Sequence, residues 1–215
     1  MEKVEELQRM LSPDELRRAL RFRFPEHRRR FTVARANLRI VLAEYTGLKP
    51  EELIFETTGN GKPCLTLEQN PGKVSFNISH SHEMAVVALC RDSDIGVDLE
   101  YMDKARPFSE LAQRYFTGAE YDMISRLAEM EQAAMFYKIW TLKEAWLKAS
   151  GLGIMGLGLI ETCQEQEGNL GILHWGEDTE DYQEFKPRDY RHFEPEPGYL
   201  AAYTRLYSSQ TVSTR

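Results

Sequence analysis

Two long amphipathic segments, each followed by a series of strand-length segments, constrain the fold of this chain most. The first spans 31–45 and the second spans 131–150. Gly47 and Gly151, which follow them, are predicted to terminate the two helices. Strand-like segments follow the first at 54–58, 74–79, 84–90 and 95–100, and the second at 158–164, 169–175, 182–187 and 198–206. This order predicts an α+β protein with two similar halves, each a long helix packed on a small antiparallel sheet.

The remaining patterns define the expected boundaries of those halves. Helical patterns also occupy 1–23, 108–116 and 119–130, and a glycine-rich stretch covers 151–158. We place the N-terminal half at 1–105 and the C-terminal half at 106–207. The polar tail 208–215 is predicted to be flexible.

Composition limits the classes of partner. A net charge of -7 and a pI near 5.4 argue against a general nucleic-acid-binding protein. Arginines are nevertheless concentrated between positions 17 and 39, which predicts a local basic surface suited to a small polyanion. They are Arg17, Arg18, Arg21, Arg23, Arg28, Arg29, Arg30, Arg35 and Arg39.

Cysteine usage and hydropathy indicate the compartment. The three cysteines are scattered and form no CxxC pair, as expected for reduced thiols in a cytoplasmic protein. The N-terminus has no apolar signal core, and no apolar run reaches the roughly 18 residues that a membrane helix needs. We therefore expect a soluble cytoplasmic protein without a membrane partner.

Asp98 and Glu100 form the first candidate site. Side chains alternate along a strand, so both carboxylates are expected on one face. Their mutual repulsion needs compensation, and Mg²⁺ prefers such oxygen ligands. The alternative is a solvated strand end with both acids facing water. When only these two residues are considered, that alternative is favoured.

Glu144 and Lys148 lie four residues apart on the second long helix and so share a face. The alternative is a surface ion pair contributing about 0.3–0.5 kcal/mol. The flanking Trp140 and Trp146 weaken that alternative, because an acid on a largely buried helix needs a partner or a metal. We interpret Lys143 as a solvated neighbour, with a ligand contact as the alternative.

The segment 77–82 contains several phosphate-binding side-chain types. Ser79, His80 and Ser81 can donate to phosphate oxygens, although a turn that caps its own backbone is the alternative. Zinc binding by His80 and His82 lacks a nearby third ligand. Lys62, after a tight turn, is either an anion contact or a solvent-facing lysine. The chain has neither a P-loop nor a GxGxxG motif.

In this order, the segments resemble the Sfp-type 4′-phosphopantetheinyl transferases. The matching segments are ARANLR (34–39), GKP (61–63), FNISHS (76–81), GVDLE (96–100) and FYKIWTLKEAWLK (136–148). No single motif is decisive, but five in the same order and spacing are specific. The resemblance covers residues 12–205. We expect the family's usual strand before the first helix to be missing or replaced, which leaves the completeness of the N-terminal core open.

The resemblance implies a fold, a reaction and partners. The fold is the pseudo-twofold 4′-phosphopantetheinyl transferase fold, with the active site at the seam of the halves, and the protein is expected to be a monomer. The activity is of the holo-[acyl-carrier-protein] synthase type. With Mg²⁺, the phosphopantetheine arm of coenzyme A passes to a serine of an apo acyl or peptidyl carrier protein, and adenosine 3′,5′-bisphosphate leaves. The carrier's pathway is not specified.

The resemblance also implies residue roles. The metal ligands are Asp98, Glu100 and Glu144, with Glu144 also a candidate base and Asp98 part of the catalytic set. Lys148 neutralises phosphate charge and contacts coenzyme A. The other coenzyme A-binding residues implied are Arg35, Lys62, Pro63, Ser79 and His80.

Two other functions remain open from the residues. One is a binding module that holds coenzyme A or a carrier without catalysis. The other is a metal-dependent phosphohydrolase that breaks down coenzyme A without a carrier.

Overall fold

The structure, a computed structural model, describes residues 2–59, 61–103, 105–164, 170–174 and 187–206. The helices are α1 (Glu2–Gln8), α2 (Pro13–Leu20), α3 (Pro25–Thr46), α4 (Phe108–Tyr115), α5 (Gly118–Ser125) and α6 (Glu129–Ser150). The strands are β1 (Phe55–Thr57), β2 (Pro63–Leu65), β3 (Val74–Ser81), β4 (Met84–Arg91), β5 (Asp94–Tyr101), β6 (Glu161–Gln164), β7 (Leu170–His174), β8 (Pro187–Phe193) and β9 (Tyr199–Leu206). The protein is therefore a mixed helix and sheet protein, as the sequence predicts.

The chain divides into two compact units. The first unit contains Met1–Thr58 and Pro63–Val74, and the second contains Gly59–Lys62 and Ser75–Arg215. Within the described ranges, no helix is both long and apolar enough to cross a membrane.

In the first unit, α1 and α2 pack against the long helix α3. Helix α2 begins with a capping box, in which Ser12 and Glu15 each accept a hydrogen bond from the other's backbone N–H. Helix α3 ends where Gly47 adopts a left-handed conformation, with φ of 75°. Strands β1 and β2 form a two-stranded antiparallel sheet.

In the second unit, α6 packs on a three-stranded antiparallel sheet with the order β5-β9-β8. Strand β5 forms one edge of this sheet, and the pairs β3-β4 and β6-β7 form separate sheets. Apolar side chains of α6 and β9 fill the core together with those of α4 and α5. Its largest buried members are Phe116, Ile124, Phe136, Tyr137, Ile139, Trp140, Leu142, Trp146, Leu147, Leu200 and Leu206.

Gly96 allows β5 to lie directly against α6. A Cβ atom at this position would lie 1.9 Å from the Ala145 carbonyl oxygen and 2.4 Å from the Ala149 backbone nitrogen. Both contacts are to backbone of the helix, which cannot rotate away as a side chain can. The absence of a side chain at position 96 therefore sets the distance between the strand and the helix.

Most predicted elements are confirmed, and the differences have local causes. The helix predicted over 1–23 is two helices, because Ser12 caps a new start. The stretch 119–130 contains all of α5 except its first residue, together with the first two residues of α6. The short strand β2 was not predicted. Of the strand predicted at 182–187, only Pro187 lies within the described residues, and it is the first residue of β8 (Pro187–Phe193). The stretch 175–186 and the tail 208–215 lie outside the described residues.

We predict that Gly96→Ala lowers the free energy of unfolding by roughly 3 kcal/mol, because the added methyl group meets helix backbone. That loss corresponds to a fall in the melting temperature of about 6–12 °C for a chain of this size. Calorimetry of both proteins measures it. Gly118→Ala is the matched control, since its Cβ would have no atom within 4 Å. An equal melting temperature for Gly96→Ala and wild type would contradict the backbone contact.

Candidate active site

Helix α6 and strand β5 bring Lys148 and Asp98 together. The Lys148 Nζ atom donates to Asp98 Oδ1 at 2.6 Å. The Asp98 side chain is buried, and that of Lys148 is 28% exposed. Lys148 therefore binds a carboxylate on the neighbouring strand, and its side chain remains partly exposed to solvent.

Ser79, on β3, completes this contact. Its hydroxyl donates to Asp98 Oδ1 at 3.0 Å, and it accepts from Lys148 Nζ at 3.0 Å and from the Leu99 backbone N–H at 3.2 Å. The residue is buried. The predicted site residues Ser79, Asp98 and Lys148 thus form one hydrogen-bonded cluster.

Glu100 lies two residues beyond Asp98 on the same face of β5, as the alternation predicts. Its Oε2 atom accepts from Ser81 Oγ and from Arg106 Nη1, each at 3.3 Å. The Arg106 guanidinium also lies 5.7 Å from the ring centre of Trp140. Sequence reasoning missed Arg106, because a single arginine in a loop carries no pattern.

Mutual repulsion and burial act on the carboxylates of this site. Burial raises the pKa of Glu144 above its ordinary value, the charges of Asp98 and Glu100 raise it further, and Lys148 opposes them. Burial and Asp98 likewise raise the pKa of Glu100, against Arg106 and Ser81. The three acids are therefore close enough that each disfavours ionisation of another.

Two carboxylate oxygens of these acids can still accept a hydrogen bond or bind a cation. Within the described part of the chain, no donor reaches Asp98 Oδ2 or Glu144 Oε1, although both atoms are buried. Among the same residues, no group of three or more His, Cys, Asp or Glu side chains is placed so that it could hold a metal ion. Asp98, Glu100 and Glu144 are thus electrostatic neighbours without a preformed coordination sphere.

Two of the predicted coenzyme A-binding residues, His80 and Lys62, differ in their exposure to solvent. His80 is exposed. It lies on the face of β3 opposite Ser79. Lys62 is mostly buried, and its Nζ atom donates to Asp94 Oδ1 at 3.3 Å and to the Ala149 carbonyl at 3.2 Å. Lys62 therefore binds the start of β5 and the end of α6.

In the first unit, Glu15 pairs with two of the predicted basic residues. Arg35 Nε donates to Glu15, and its guanidinium lies 4.0 Å from the ring centre of Phe55. Arg39 Nε donates to Glu15 at 2.7 Å, and Arg39 is only 1% exposed. The prediction that Arg39 belongs to a basic surface is therefore wrong.

The first unit retains an open basic surface on α2. A cavity of about 570 Å³ is lined by side chains of this helix and the residues that follow it. These are Asp14, Arg17, Arg18, Arg21 and Phe22. Pro63, the other predicted binding residue of this unit, begins β2 and is half-buried.

Family models match both parts of the chain. One, described as 4′-phosphopantetheinyl transferase superfamily, matches residues 94–204. Another, described as 4′-phosphopantetheinyl transferase, N-terminal, matches residues 1–92. The chain belongs to the 4′-phosphopantetheinyl transferase superfamily.

Individual members of the superfamily show the same similarity. The chain is 42% identical to 4′-phosphopantetheinyl transferase HetI of Nostoc sp. over 158 residues, which cover 74% of this chain and 67% of HetI. It is 37% identical to psf-1 of Bacillus pumilus, over 79% of this chain and 70% of psf-1. It is 29% identical to Sfp of Bacillus subtilis, over 94% of this chain and 84% of Sfp.

Lys143 has a structural position in this superfamily member, and the interpretation of it as a solvated neighbour is wrong. Its side chain is 0% exposed, and its Nζ atom donates to the equally buried Glu120 at 2.6 Å. Glu120 also accepts from the Thr117 N–H and from the N–H and hydroxyl of Thr162. This buried ion pair joins α6 to α5 and β6.

We predict that Lys143→Met destabilises the protein by about 3–5 kcal/mol, since it leaves the Glu120 carboxylate buried without its counter-charge. Urea unfolding measures the change. The double variant Lys143→Met/Glu120→Gln, which removes both charges, should recover part of the loss. A destabilisation no larger than that of Lys138→Met, a less buried position on α6, would contradict the buried pair.

We also predict that Glu144→Gln raises the melting temperature at pH 7.5 relative to that of the wild type. The raised pKa means that ionised Glu144 disfavours folding, so its penalty is present at pH 7.5 and vanishes as pH falls towards 4.5. The gain should shrink over the same range. Calorimetry in chelator-containing buffer tests this.

The exposed Glu131→Gln on the same helix is the control for Glu144→Gln. It removes an acid of the first helical turn, so it should leave the melting temperature unchanged or lower it slightly. A lower melting temperature for Glu144→Gln at pH 7.5 would show that the carboxylate stabilises the fold.

Proposed function

We propose that this protein transfers the 4′-phosphopantetheine moiety of coenzyme A to a serine of an apo acyl or peptidyl carrier protein. The observation that carries the proposal is the cluster in which Lys148 pairs with the buried Asp98, while the charges of Asp98 and Glu100 act on Glu144. The cluster lies within the residues that match the superfamily. The names of the similar proteins state 4′-phosphopantetheinyl transfer.

The donor set supports a magnesium ion at Asp98, Glu100 and Glu144. All three offer carboxylate oxygens, which Mg²⁺ prefers, and each of Asp98 and Glu144 has one buried oxygen that no described donor reaches. A bound cation would also relieve the repulsion that raises the pKa of Glu144 and of Glu100. When bound, Mg²⁺ supplies charge that stabilises the reacting pyrophosphate.

Lys148 supplies the fixed positive charge of the reaction. Asp98 and Ser79 orient its ammonium group, and the partial exposure of the side chain leaves it accessible to an anion. We assign it to the phosphates of coenzyme A, where it offsets charge on the departing adenosine 3′,5′-bisphosphate.

Glu144 is the candidate base. It takes the proton of the carrier serine as the serine oxygen bonds to the β-phosphorus of coenzyme A. The bond from that phosphorus to the bridging oxygen breaks, and the bisphosphate leaves with the electron pair.

We retain Arg35, Lys62, Pro63, Ser79 and His80 as coenzyme A-binding residues. The cationic side chains of Arg35 and Lys62 have fixed positions, because each is ion-paired. The hydroxyl of Ser79 is bonded to the Lys148 ammonium group, which supports a contribution through that lysine.

We further propose the pseudo-twofold arrangement with halves 1–105 and 106–207, in a cytoplasmic monomer. The element order supports it, since α3 and α6 both contain 22 residues and both end at a left-handed glycine. A short 3₁₀ helix follows each, and then an antiparallel strand pair, β1-β2 or β6-β7.

The transfer reaction is tested by incubating the protein with coenzyme A, Mg²⁺ and a panel of apo acyl and peptidyl carriers, and weighing each carrier. We expect at least one carrier to gain one phosphopantetheinyl group. Glu144→Gln should slow transfer at least about 100-fold, as expected for loss of a general base, while Glu131→Gln should not.

The same assay separates the alternatives. Coenzyme A binding without modification of any carrier would indicate a binding module. Loss of coenzyme A in the presence of Mg²⁺ but without a carrier would indicate a phosphohydrolase. Either result would overturn the transferase proposal.

A further inference from the structure

One face of β3 is lined by four short polar side chains that cover the free edge of β5. The face consists of Ser75, Asn77, Ser79 and Ser81. Among the described strands, β5 pairs with β9 along one edge, so the backbone N–H groups of its other edge need acceptors elsewhere. Those acceptors are side chains of β3.

The acceptor pattern is regular. The Val97 N–H donates to Asn77 Oδ1 at 3.0 Å, the Leu99 N–H to Ser79 Oγ at 3.2 Å and the Tyr101 N–H to Ser81 Oγ at 2.9 Å. In each case, the donor lies 20 residues after the acceptor. The side chains thus replace a backbone ladder between β3 and β5.

Ser79 and Ser81 each make a second contact that Asn77 does not share. Ser79 Oγ donates to Asp98 Oδ1 at 3.0 Å, and Ser81 Oγ donates to Glu100 Oε2 at 3.3 Å. The residue of β5 at the corresponding place opposite Asn77 is Gly96, which has no side chain. Each of these two serines therefore links the orientation of one carboxylate to the backbone of β5.

We propose that Ser81 and Ser79 are positioning residues that fix the carboxylates of Glu100 and Asp98 for cation binding. This inference rests on the proposed function. A serine that accepts one backbone N–H has its single hydroxyl hydrogen directed at the acid, so the carboxylate loses rotational freedom. Groups that orient ligands in this way affect metal affinity about 10- to 100-fold.

Asn77 provides a control within the same strand. Asn77→Ala and Ser81→Ala each remove one acceptor for a β5 N–H, but only Ser81→Ala also releases a carboxylate. A purely structural role of the polar face predicts that the two variants behave alike. A positioning role predicts that only Ser81→Ala weakens cation binding.

Mn²⁺ serves as the probe, because the electron paramagnetic resonance signal of the free ion reports binding to the full chain without coenzyme A. We expect Ser81→Ala to weaken Mn²⁺ binding about tenfold and Asn77→Ala to change it less than about twofold. Ser81→Thr, which keeps the hydroxyl, should restore the affinity. Urea unfolding of the same samples records the stability of each variant.

The outcomes separate the inference from the proposed function. Equal Mn²⁺ affinities for Ser81→Ala and wild type, in a protein that modifies a carrier, would overturn the positioning role alone. Equal weakening by Ser81→Ala and Asn77→Ala would also overturn it. A wild-type protein that neither binds Mn²⁺ nor modifies a carrier would overturn both.

Discussion

The backbone contact at Gly96 is the constraint on which the candidate site depends. Because a side chain there would collide with the backbone at Ala145 and Ala149, β5 can lie against α6 only with glycine at this position. That separation allows Lys148 Nζ to reach Asp98 Oδ1 at 2.6 Å, two residues further along the strand. Gly96, which has no functional side chain, thus determines whether Lys148 can contact Asp98.

Helix α6 contributes two lysines to buried carboxylates, and the two pairs differ in how fully the acid is satisfied. Glu120 accepts from Lys143 and also from Thr117 and Thr162, so both of its oxygens are used. Asp98 accepts through one oxygen, while no described donor reaches the other. A fully bonded pair suits a role in holding elements together, whereas an acid with unused capacity suits ligand binding.

The sequence predicts what local geometry determines. Alternation places Asp98 and Glu100 on one face, and helical spacing places Glu144 beside Lys148, both as observed. It cannot reveal that Lys143 is buried, because the partner that makes burial tolerable is 23 residues away in another helix. The pairing of β5 with β9 is also long-range and leaves no periodic signal.

The electrostatics of the candidate site are unfavourable for folding. Burial and neighbouring charge raise the pKa of both Glu144 and Glu100, so each ionised acid opposes folding near neutral pH. Amide side chains of the same size would avoid this penalty. Ionised acids that weaken the fold and lie beside a fixed cation are expected at sites that bind a further cation. Superfamily membership and the electrostatics of Glu144 and Glu100 thus independently support the proposed transferase site.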